Sequence, residues 1–408
     1  MNNYFQGKVN IFMSTLLSNE IASALGNSSM IRKMFEAGNE LRKKYGNDKV
    51  YDFSLGNPDV PAPAAVKEAL KNIAEKADQP FALGYMPNAG YPACREKLAA
   101  YLTREQGVTV TADCVIATCG AAGGINAFFR AVLEAGDEVI CPSPYFVEYA
   151  FYAGNFGGKL LPVATKADTF ELDSAAIAAA ITPRTRAVLV NSPNNPTGQI
   201  YSRRELQELA AVLSDASKKY GRTIYLIADE PYRYLNYDNC EVPSVFSVYD
   251  ASVVIGSFSK TLSLAGERIG YVAVNPALAG REELLNGIIM TNRILGYVNA
   301  PAVAQQILIS SIDSTIDLDI YRRRRNLMAQ VLTDAGIEFL MPKGAFYFFP
   351  KSPVADERIF VDKLLQERIL AVPGRGFGMA GYFRLTFCVD ESIIANSAES
   401  FKNAMKNL

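Results

Sequence analysis

The sequence of 408 residues contains no histidine. This absence excludes the Ser-His-Asp and Cys-His mechanisms, zinc sites built on histidine, and histidine as a general acid or base. If the protein is an enzyme that works near neutral pH, a lysine, aspartate, glutamate, tyrosine or cysteine of tuned pKa must carry its protons.

The sequence also has few cysteines, almost no net charge and no long apolar run. The six cysteines form no CxxC pair, which in a chain of this length indicates reduced, mostly buried thiols in a cytoplasmic protein, and no metal site is expected. No apolar run reaches the roughly 18 residues that a membrane helix needs. The net charge of −1 gives no reason to expect nucleic-acid binding, and the four arginines at 322–325 are interpreted as a solvated helix face.

The chain is predicted to form two domains of the α/β class. Between about residues 55 and 300, helical segments alternate with short runs rich in valine and isoleucine, which is typical of a mainly parallel sheet sandwiched by helices. Residues 301–408, joined by 13–54, are expected to form a smaller α+β domain. Residues 1–12 resemble an expression-tag remnant, with Met13 as an alternative natural start. The predicted helices are 31–45, 64–77, 94–106, 124–134, 203–220 and 320–335, and the predicted strands are 139–141, 187–191, 224–229, 253–257, 346–349 and 383–387.

Polar side chains follow three of the predicted strands. "RAVLVNSPNNPTG" runs on to Asn195, "IYLIADEPY" ends its strand on Asp229, and "VVIGSFSK" runs into Lys260. Because ligands of parallel α/β sheets bind beyond the carboxyl ends of the strands, these three residues are expected to meet in one crevice. "CGAAGGINAF" places small residues before a helix, where backbone N–H groups can hold an anion such as phosphate.

Lys260 most needs a chemical reason, because lysine is among the residues least often fully buried. A lysine amine forms an imine with an aldehyde, an aspartate pairs with a protonated ring nitrogen, and an arginine such as Arg268 holds a phosphate. Phe146 supplies an aromatic surface for stacking, with Tyr145 as the alternative. A planar, phosphorylated nitrogen heterocycle that carries an aldehyde would use all of these groups.

These segments resemble the class I and II aminotransferases, pyridoxal-phosphate enzymes of the aspartate aminotransferase fold type, fold type I. The resemblance extends from about residue 28 to the C-terminus, in the family's order, and NNPTG with SFSKxxxxxxxRxG is its most specific part. The matching segments are "SLGNPDVPAP", "GYMPNAGYPACREKLA", "TCGAAGGI", "PSPYF", "NSPNNPTG", "ADEPYRYL", "SFSKTLSLAGERIGY", "PKGAFYFFP" and "VPGRGFGMAGYFRLTF".

The resemblance implies roles around the cofactor, pyridoxal 5′-phosphate. Lys260 matches the family's Schiff-base lysine, and Asp229 matches the partner of the pyridinium nitrogen. Asn195 and Tyr232 match the pair that hydrogen-bonds the ring hydroxyl. The residues that match the phosphate site are Gly120, Ala121, Ala122, Ser257 and Arg268.

It also implies roles beyond the cofactor. Phe146 matches the aromatic residue stacked on the ring, where many relatives have tryptophan, a residue that this chain lacks. Tyr85 matches a tyrosine that reaches the phosphate of the neighbouring subunit, which implies a homodimer. Arg384 matches the arginine that binds the substrate α-carboxylate, with Gly56 and Asn195 nearby.

The implied function is an aminotransferase that moves an amino group between an L-amino acid and a 2-oxo acid by a ping-pong mechanism, of the aspartate/2-oxoglutarate type or with broad specificity. The freed Lys260 amine would act as the base, with its pKa depressed by the cationic neighbourhood of Arg268. The alternative is a fold-type-I lyase such as a carbon–sulfur lyase, which would release pyruvate and ammonia without an oxo-acid acceptor.

The substrate side chain stays open. An acidic substrate needs a second cation for its side-chain carboxylate, and the loop at residues 120–124 supplies none. Arg32, Arg293 and Arg375 are the remaining alternatives for this cation. Alanine, methionine, aromatic amino acids and broad specificity are equally open.

Overall fold

The structure is a computed structural model that describes residues 16–18, 21–22, 25 and 30–408; the expected tag remnant at 1–12 lies outside them. The helices in this part are α1 (Met30–Tyr45), α2 (Ala64–Lys76), α3 (Pro92–Gln106), α4 (Gly120–Val132), α5 (Glu148–Gly154), α6 (Ser174–Ala180), α7 (Arg203–Tyr220), α8 (Arg281–Ile294), α9 (Ala302–Ser311), α10 (Leu318–Asp334), α11 (Glu357–Gln366), α12 (Glu391–Asn396) and α13 (Ala398–Lys406). The strands are β1 (Tyr51–Asp52), β2 (Val115–Cys119), β3 (Glu138–Ser143), β4 (Lys159–Ala164), β5 (Thr185–Asn191), β6 (Tyr225–Asp229), β7 (Ser252–Ser257), β8 (Ile269–Val274), β9 (Tyr347–Phe348), β10 (Ile369–Leu370), β11 (Val372–Pro373) and β12 (Phe383–Thr386).

A seven-stranded sheet in the order β2-β8-β7-β6-β5-β3-β4 dominates the described residues. Strand β8 runs antiparallel to its neighbours β2 and β7, and the other pairings are parallel. The carboxyl ends of β5, β6 and β7 therefore lie side by side at one edge of the sheet.

The strands of this sheet are apolar on both faces because both faces are covered. In β6, Leu226 and Ala228 belong to one buried apolar cluster, whereas Tyr225 and Ile227 belong to a second cluster on the opposite face. Helix α4 supplies the second cluster, and α3 and α7 supply the first. This arrangement explains the near-continuous apolar runs in the sequence.

Local signals set the ends of the helices. Ser202 caps α7 and forms a capping box with Glu205, and Gly221 ends the helix in the left-handed region with φ of 60°. Pro92 occupies the first turn of α3, where its missing N–H costs no hydrogen bond.

A third buried cluster joins chain segments that are distant in sequence. It includes Met34 and Phe53 near the N-terminal end together with residues between 316 and 404, and it lies beside the three-stranded sheet β11-β12-β9. Helix α9 instead packs with α2 in a cluster of the large sheet, although the predicted boundary at residue 300 assigns α9 to the smaller domain. The division into domains stays a prediction.

The described residues contain neither a helix suited to a membrane nor a cluster suited to a metal ion. None of the helices there is long and apolar enough to cross a membrane. Within the same residues, no group of three or more cysteine, aspartate or glutamate side chains is arranged to hold a metal ion.

Candidate active site

A cavity of about 360 Å³ opens at the carboxyl ends of β5, β6 and β7. Its volume lies within the roughly 300–1,000 Å³ that small-molecule sites occupy. Of the residues predicted from the sequence, Gly120 and Tyr85 do not line the cavity, although Gly120 directly precedes Ala121, which does. The predicted residues that line the cavity are Gly56, Ala121, Ala122, Phe146, Asn195, Asp229, Tyr232, Ser257, Lys260, Arg268 and Arg384.

Lys260 follows β7 and points its amine into the cavity. Its Nζ donates a hydrogen bond to the carbonyl oxygen of Gly56 at 2.8 Å. Burial is the largest cause that lowers the pKa of Lys260, to about 8; Cys388 opposes this shift, and Arg384 and then Arg268 add to it. The prediction that the pKa of Lys260 is lowered agrees with this value. The prediction was wrong in naming Arg268 as the cause, because burial has the largest effect. The amine therefore loses its proton at a much lower pH than an ordinary lysine does.

Asp229 ends β6 with its carboxylate buried. Its Oδ2 accepts a short hydrogen bond from the hydroxyl of Tyr149, and its Oδ1 is buried without a hydrogen-bond partner among the described residues. Burial raises the pKa of Asp229 to about 7, against the lowering effect of the Tyr149 bond. An unpaired buried carboxylate oxygen is costly, so this position favours a ligand that carries a hydrogen-bond donor.

Arg384 lies buried on β12, between two aromatic rings. Its guanidinium carbon lies 4.6 Å from the ring centroids of both Tyr347 and Phe377. Its Nη1 donates to Asn195 Oδ1 at 3.0 Å and its Nη2 donates to Ser54 O at 2.6 Å, while Nε is buried without a partner. The guanidinium is thus held in one orientation at the cavity wall and keeps a donor free.

Tyr232 extends the polar wall from the loop after β6. Its hydroxyl lies 3.1 Å from the hydroxyl of Tyr347. Burial raises the pKa of Tyr232 well above its ordinary value and also raises the pKa of Tyr347, so both hydroxyls stay protonated and can donate hydrogen bonds.

Arg268 and Gly120 meet at the other end of the cavity. Gly120 begins α4 with φ of 69°, and a Cβ atom built on it would come within 3.0 Å of Arg268 Nη2. Arg268 donates from Nη1 to Ala265 O at 3.0 Å. A guanidinium beside the start of a helix gives this end of the cavity the character of an anion site.

Phe146 lines the cavity and Tyr145 does not. The ring of Phe146 meets the ring of Tyr149 edge-on, with centroids 5.5 Å apart. Of the two stacking candidates, the geometry therefore favours Phe146.

Tyr85 is 94% exposed and lines a separate surface groove with Tyr297 and Asn299. It does not meet the other predicted residues within this single chain. Its neighbours in sequence, Phe81 and Leu83, are also exposed, at 91% and 52%.

The arginines considered as a second cation have different surroundings. Arg375 is engaged by two carboxylates, with its Nε 2.7 Å from Glu357 Oε1 and its Nη2 3.0 Å from Asp356 Oδ1. Arg293 lies in the last turn of α8 and does not line the cavity. The side chain of Arg32 lies outside the described residues.

The interpretation of residues 322–325 as a solvated face was wrong for two of the four arginines. Arg324 and Arg325 are buried, because the helix turns them toward Asp59 and Asp238, with N–O distances of 2.7 Å and 2.8 Å.

Sequence reasoning missed several side chains of the cavity, among them Tyr149, Tyr152, Tyr347 and Glu148. Tyr149 lies in the first turn of α5, three residues after Phe146, and the two rings meet edge-on across this short spacing. The segment "GAFYFFP" was recognised, but its run of aromatic residues does not indicate that Tyr347 is the one that faces Arg384.

Comparison with solved structures defines the class of this fold. An amino transferase from Eubacterium rectale superposes with a TM-score of 0.93 at 37% identity, covering 97% of this chain and 99% of that one. Aspartate aminotransferase from Thermus thermophilus with maleate gives a TM-score of 0.83 at 29% identity, covering 92% and 97%. The chain therefore has the fold of the aspartate aminotransferases, which confirms the predicted fold class.

Sequence comparison then gives the family. The family model of aminotransferase class I and II matches residues 48–401. A probable aspartate/prephenate aminotransferase of Aquifex aeolicus is 32% identical over 382 residues, covering 90% of this chain and 94% of that protein. The chain belongs to the class I and II aminotransferase family, and it is an aminotransferase. Nothing in these comparisons favours the lyase alternative.

Proposed function

We propose that this aminotransferase works with pyridoxal 5′-phosphate in the cavity of Lys260, passing an amino group from an L-amino acid to a 2-oxo acid in two half-reactions. One observation carries the proposal: the buried, partly neutral amine of Lys260 shares a cavity with Asp229, whose Oδ1 is unpaired. A primary amine and a carboxylate are the two groups that an aldehyde on a protonated nitrogen ring requires.

The residues present fit that cofactor. The unpaired Oδ1 of Asp229 suits a ring N–H, and the face of Phe146 suits a planar ring. Gly120, without a Cβ, leaves room for the guanidinium of Arg268, which suits a phosphate dianion. Bound there, the cofactor would supply an electron sink for the carbanion that forms when an amino acid loses its Cα proton.

Each side chain then has a task. Asp229 holds the proton on the ring nitrogen, and Asn195 and Tyr232 donate hydrogen bonds to the ring hydroxyl. Phe146 covers one ring face. The groups that hold the phosphate are the backbone N–H groups of Gly120, Ala121 and Ala122, the Ser257 hydroxyl and Arg268.

Lys260 moves the proton. Its neutral amine would take the proton from the substrate Cα and deliver it to the C4′ carbon of the cofactor, and burial favours the neutral amine by lowering its pKa to about 8. Arg384 binds the substrate α-carboxylate through its free donor, while Asn195 and the carbonyl of Ser54 fix its orientation. Gly56 also lines the cavity, and its carbonyl oxygen accepts a hydrogen bond from the amine of Lys260.

The active unit in this proposal is a homodimer. The exposed Tyr85, which is remote from its own cavity, would donate its hydroxyl to the phosphate in the partner's cavity. We also propose that the enzyme acts in the cytoplasm, because all six cysteines are free.

An isotope experiment tests the proposed function. The protein is incubated with pyridoxal phosphate, ¹⁵N-labelled amino acids and a set of unlabelled 2-oxo acids, and the products are analysed by mass spectrometry. We expect ¹⁵N in the amino acid that corresponds to an added oxo acid. Release of pyruvate and labelled ammonia without a labelled amino acid would contradict the proposal.

A variant assigns the activity to the cavity. Asp229→Ala should slow transfer by about 10³- to 10⁵-fold, or about 4–7 kcal/mol, because an unprotonated ring is a poor electron sink. The matched control is Asp250→Ala, at an exposed position, which should leave the rate unchanged. A loss below about tenfold in Asp229→Ala would refute the role of Asp229.

A further inference from the structure

Glu148 is an ionisable side chain of the cavity that has no part in the proposed function. It begins α5, two residues after Phe146, and lines the same cavity as Lys260 and Arg384. An acidic residue in the first turn of a helix is ordinary, because it faces the positive end of the helix dipole. Such a residue usually keeps both carboxylate oxygens in water, whereas Oε2 of Glu148 is buried.

One carboxylate oxygen of Glu148 is poorly solvated. This oxygen, Oε2, is buried without a hydrogen-bond partner among the described residues. Burial is the main cause that raises the pKa of Glu148, and a hydrogen bond from its own backbone and then the charge of Arg384 oppose this shift. Tyr347 and Tyr152 lie on the same wall. A buried oxygen of this kind gains free energy from any ligand group that donates a hydrogen bond to it.

The proposed function already gives a role to each cationic side chain that lines the described cavity. Lys260, Arg268 and Arg384 are the lysine and arginine side chains that line it, and the proposed function assigns them to the proton transfer, the phosphate and the α-carboxylate. No lining cation among the described residues remains for a second substrate carboxylate, and Glu148 adds a negative charge beside the place where the substrate binds.

We propose that Glu148 determines substrate specificity: it accepts a hydrogen bond from a substrate side chain with an uncharged or cationic donor, such as an amide, and disfavours a side-chain carboxylate. This inference rests on the proposed function, because it assumes that the α-carboxylate occupies Arg384. A dicarboxylic substrate would bring its second negative charge toward Glu148, and like charges in a poorly solvated site repel strongly. An amide of the same size would instead satisfy Oε2, and a site built to hydrogen-bond one group discriminates well against an analogue that lacks it.

Isosteric donor pairs test the proposal. Release of 2-oxo acid in a single turnover, after acid quench and without an acceptor, is measured for asparagine against aspartate and for glutamine against glutamate. We expect the wild type to favour the amide member of each pair by at least about tenfold. Glu148→Gln, which keeps the shape and removes the charge, should shift both ratios at least about tenfold toward the acid. Glu241→Gln, at an exposed carboxylate paired with Arg203, is the matched control and should not change them.

Binding gives a second readout that needs no turnover. Calorimetry should show that Glu148→Gln binds maleate more tightly, and its monoamide maleamate more weakly, than the wild type does. The inference would be overturned if the wild type preferred the acid of each pair, or if Glu148→Gln affected acids and amides equally. Either result would leave the proposed amino transfer intact. If no amino acid releases an oxo acid, the proposed function fails, and unchanged maleate and maleamate affinities in Glu148→Gln would separately overturn the role of Glu148.

Discussion

Asp229 has one carboxylate oxygen bonded to Tyr149 and the other unpaired at the cavity. The bond fixes the orientation of the carboxylate and lowers the pKa of Asp229 against the larger effect of burial. Tyr149 is therefore a positioning residue: it acts on the ring nitrogen only through Asp229.

The variant Tyr149→Phe should lower kcat/KM by about 10- to 100-fold, the effect of one hydrogen bond to a charged group. Without that bond the pKa of Asp229 rises, so the acid limb of the kcat/KM profile should move to higher pH. The control is Tyr237→Phe, which removes a buried hydroxyl that donates to Ala345 O at 2.7 Å outside the cavity. Equal effects of both substitutions on the pH profile would refute the positioning role.

Lys260 gives a prediction about pH for the protein without cofactor. A pKa of about 8, caused mainly by burial, lies below the roughly 10.4 of an ordinary lysine. Because the neutral amine is the nucleophile, labelling of Lys260 by acetic anhydride should rise with pH around a midpoint of about 8. The urea-unfolded protein, measured through the same peptide, should show a midpoint near 10.4. A folded-state midpoint that matches the unfolded one would contradict the account.

At the scale of elements, the start of α4 builds the anion end of the cavity. Gly120 adopts φ of 69° and faces the guanidinium of Arg268, whereas Gly221 ends α7 with φ of 60° and has nothing within 4 Å of a built Cβ. The two glycines share a left-handed conformation and differ in what a side chain would meet.

Substituting each glycine therefore distinguishes the effect of backbone strain from the effect of contact with Arg268. Both Gly120→Ala and Gly221→Ala should lose roughly 1–2 kcal/mol of stability through the left-handed backbone, measured by urea denaturation. Gly120→Ala alone should also weaken pyridoxal phosphate binding, by at least about tenfold, because its methyl group displaces Arg268, whose charged hydrogen bonds are worth that much. Equal cofactor affinity in both variants would show that Gly120 has no role in the anion site.

The sequence predicted the elements whose pattern is strong. The observed helices α1, α2, α3, α7 and α10 lie within two residues of the predicted ranges at each end, because apolar spacing and terminal glycines or prolines define them. Of the strands in the seven-stranded sheet, β2, β4 and β8 were missed. In β2 and β8 the apolar runs adjoin glycine-rich segments, and β4 is partly exposed at the sheet edge.

In the cavity, too, residues that follow a clear sequence pattern could be predicted and the others could not. Asn195, Asp229 and Lys260 could be predicted to converge because they follow parallel strands, and the structure places them around one cavity. Helix α4 begins at Gly120 rather than at the predicted residue 124, since small residues permit both a loop and a helix. The position of Glu148 depends on how α5 packs, which no local pattern encodes.

At the scale of the whole molecule, the single chain exposes a large apolar surface near residues 81–85. Phe81 and Tyr85 are more than nine-tenths exposed, and exposed apolar patches of this kind mark association surfaces. A two-fold axis would bury this loop twice, once in each subunit, which is the geometric reason to expect a homodimer.

Light scattering should therefore give twice the mass of the 44.5 kDa chain. Tyr85→Phe should weaken retention of pyridoxal phosphate by about 1.5–3 kcal/mol, the value of one charge-assisted hydrogen bond. In subunit exchange between Tyr85→Ala and Lys260→Ala chains, each hybrid dimer should keep one intact site, because both defects fall in the other. A fully active monomer, or no recovery in the hybrid, would refute a shared site.

The central claim is that the amine of Lys260 carries the chemistry of this aminotransferase. The most direct measurement treats the protein with pyridoxal phosphate and borohydride, then maps the modified peptide by mass spectrometry. The account predicts that the mass of the reduced cofactor lies on Lys260 and is lost in Lys260→Ala. Modification of a different lysine, or of no lysine at all, would contradict it.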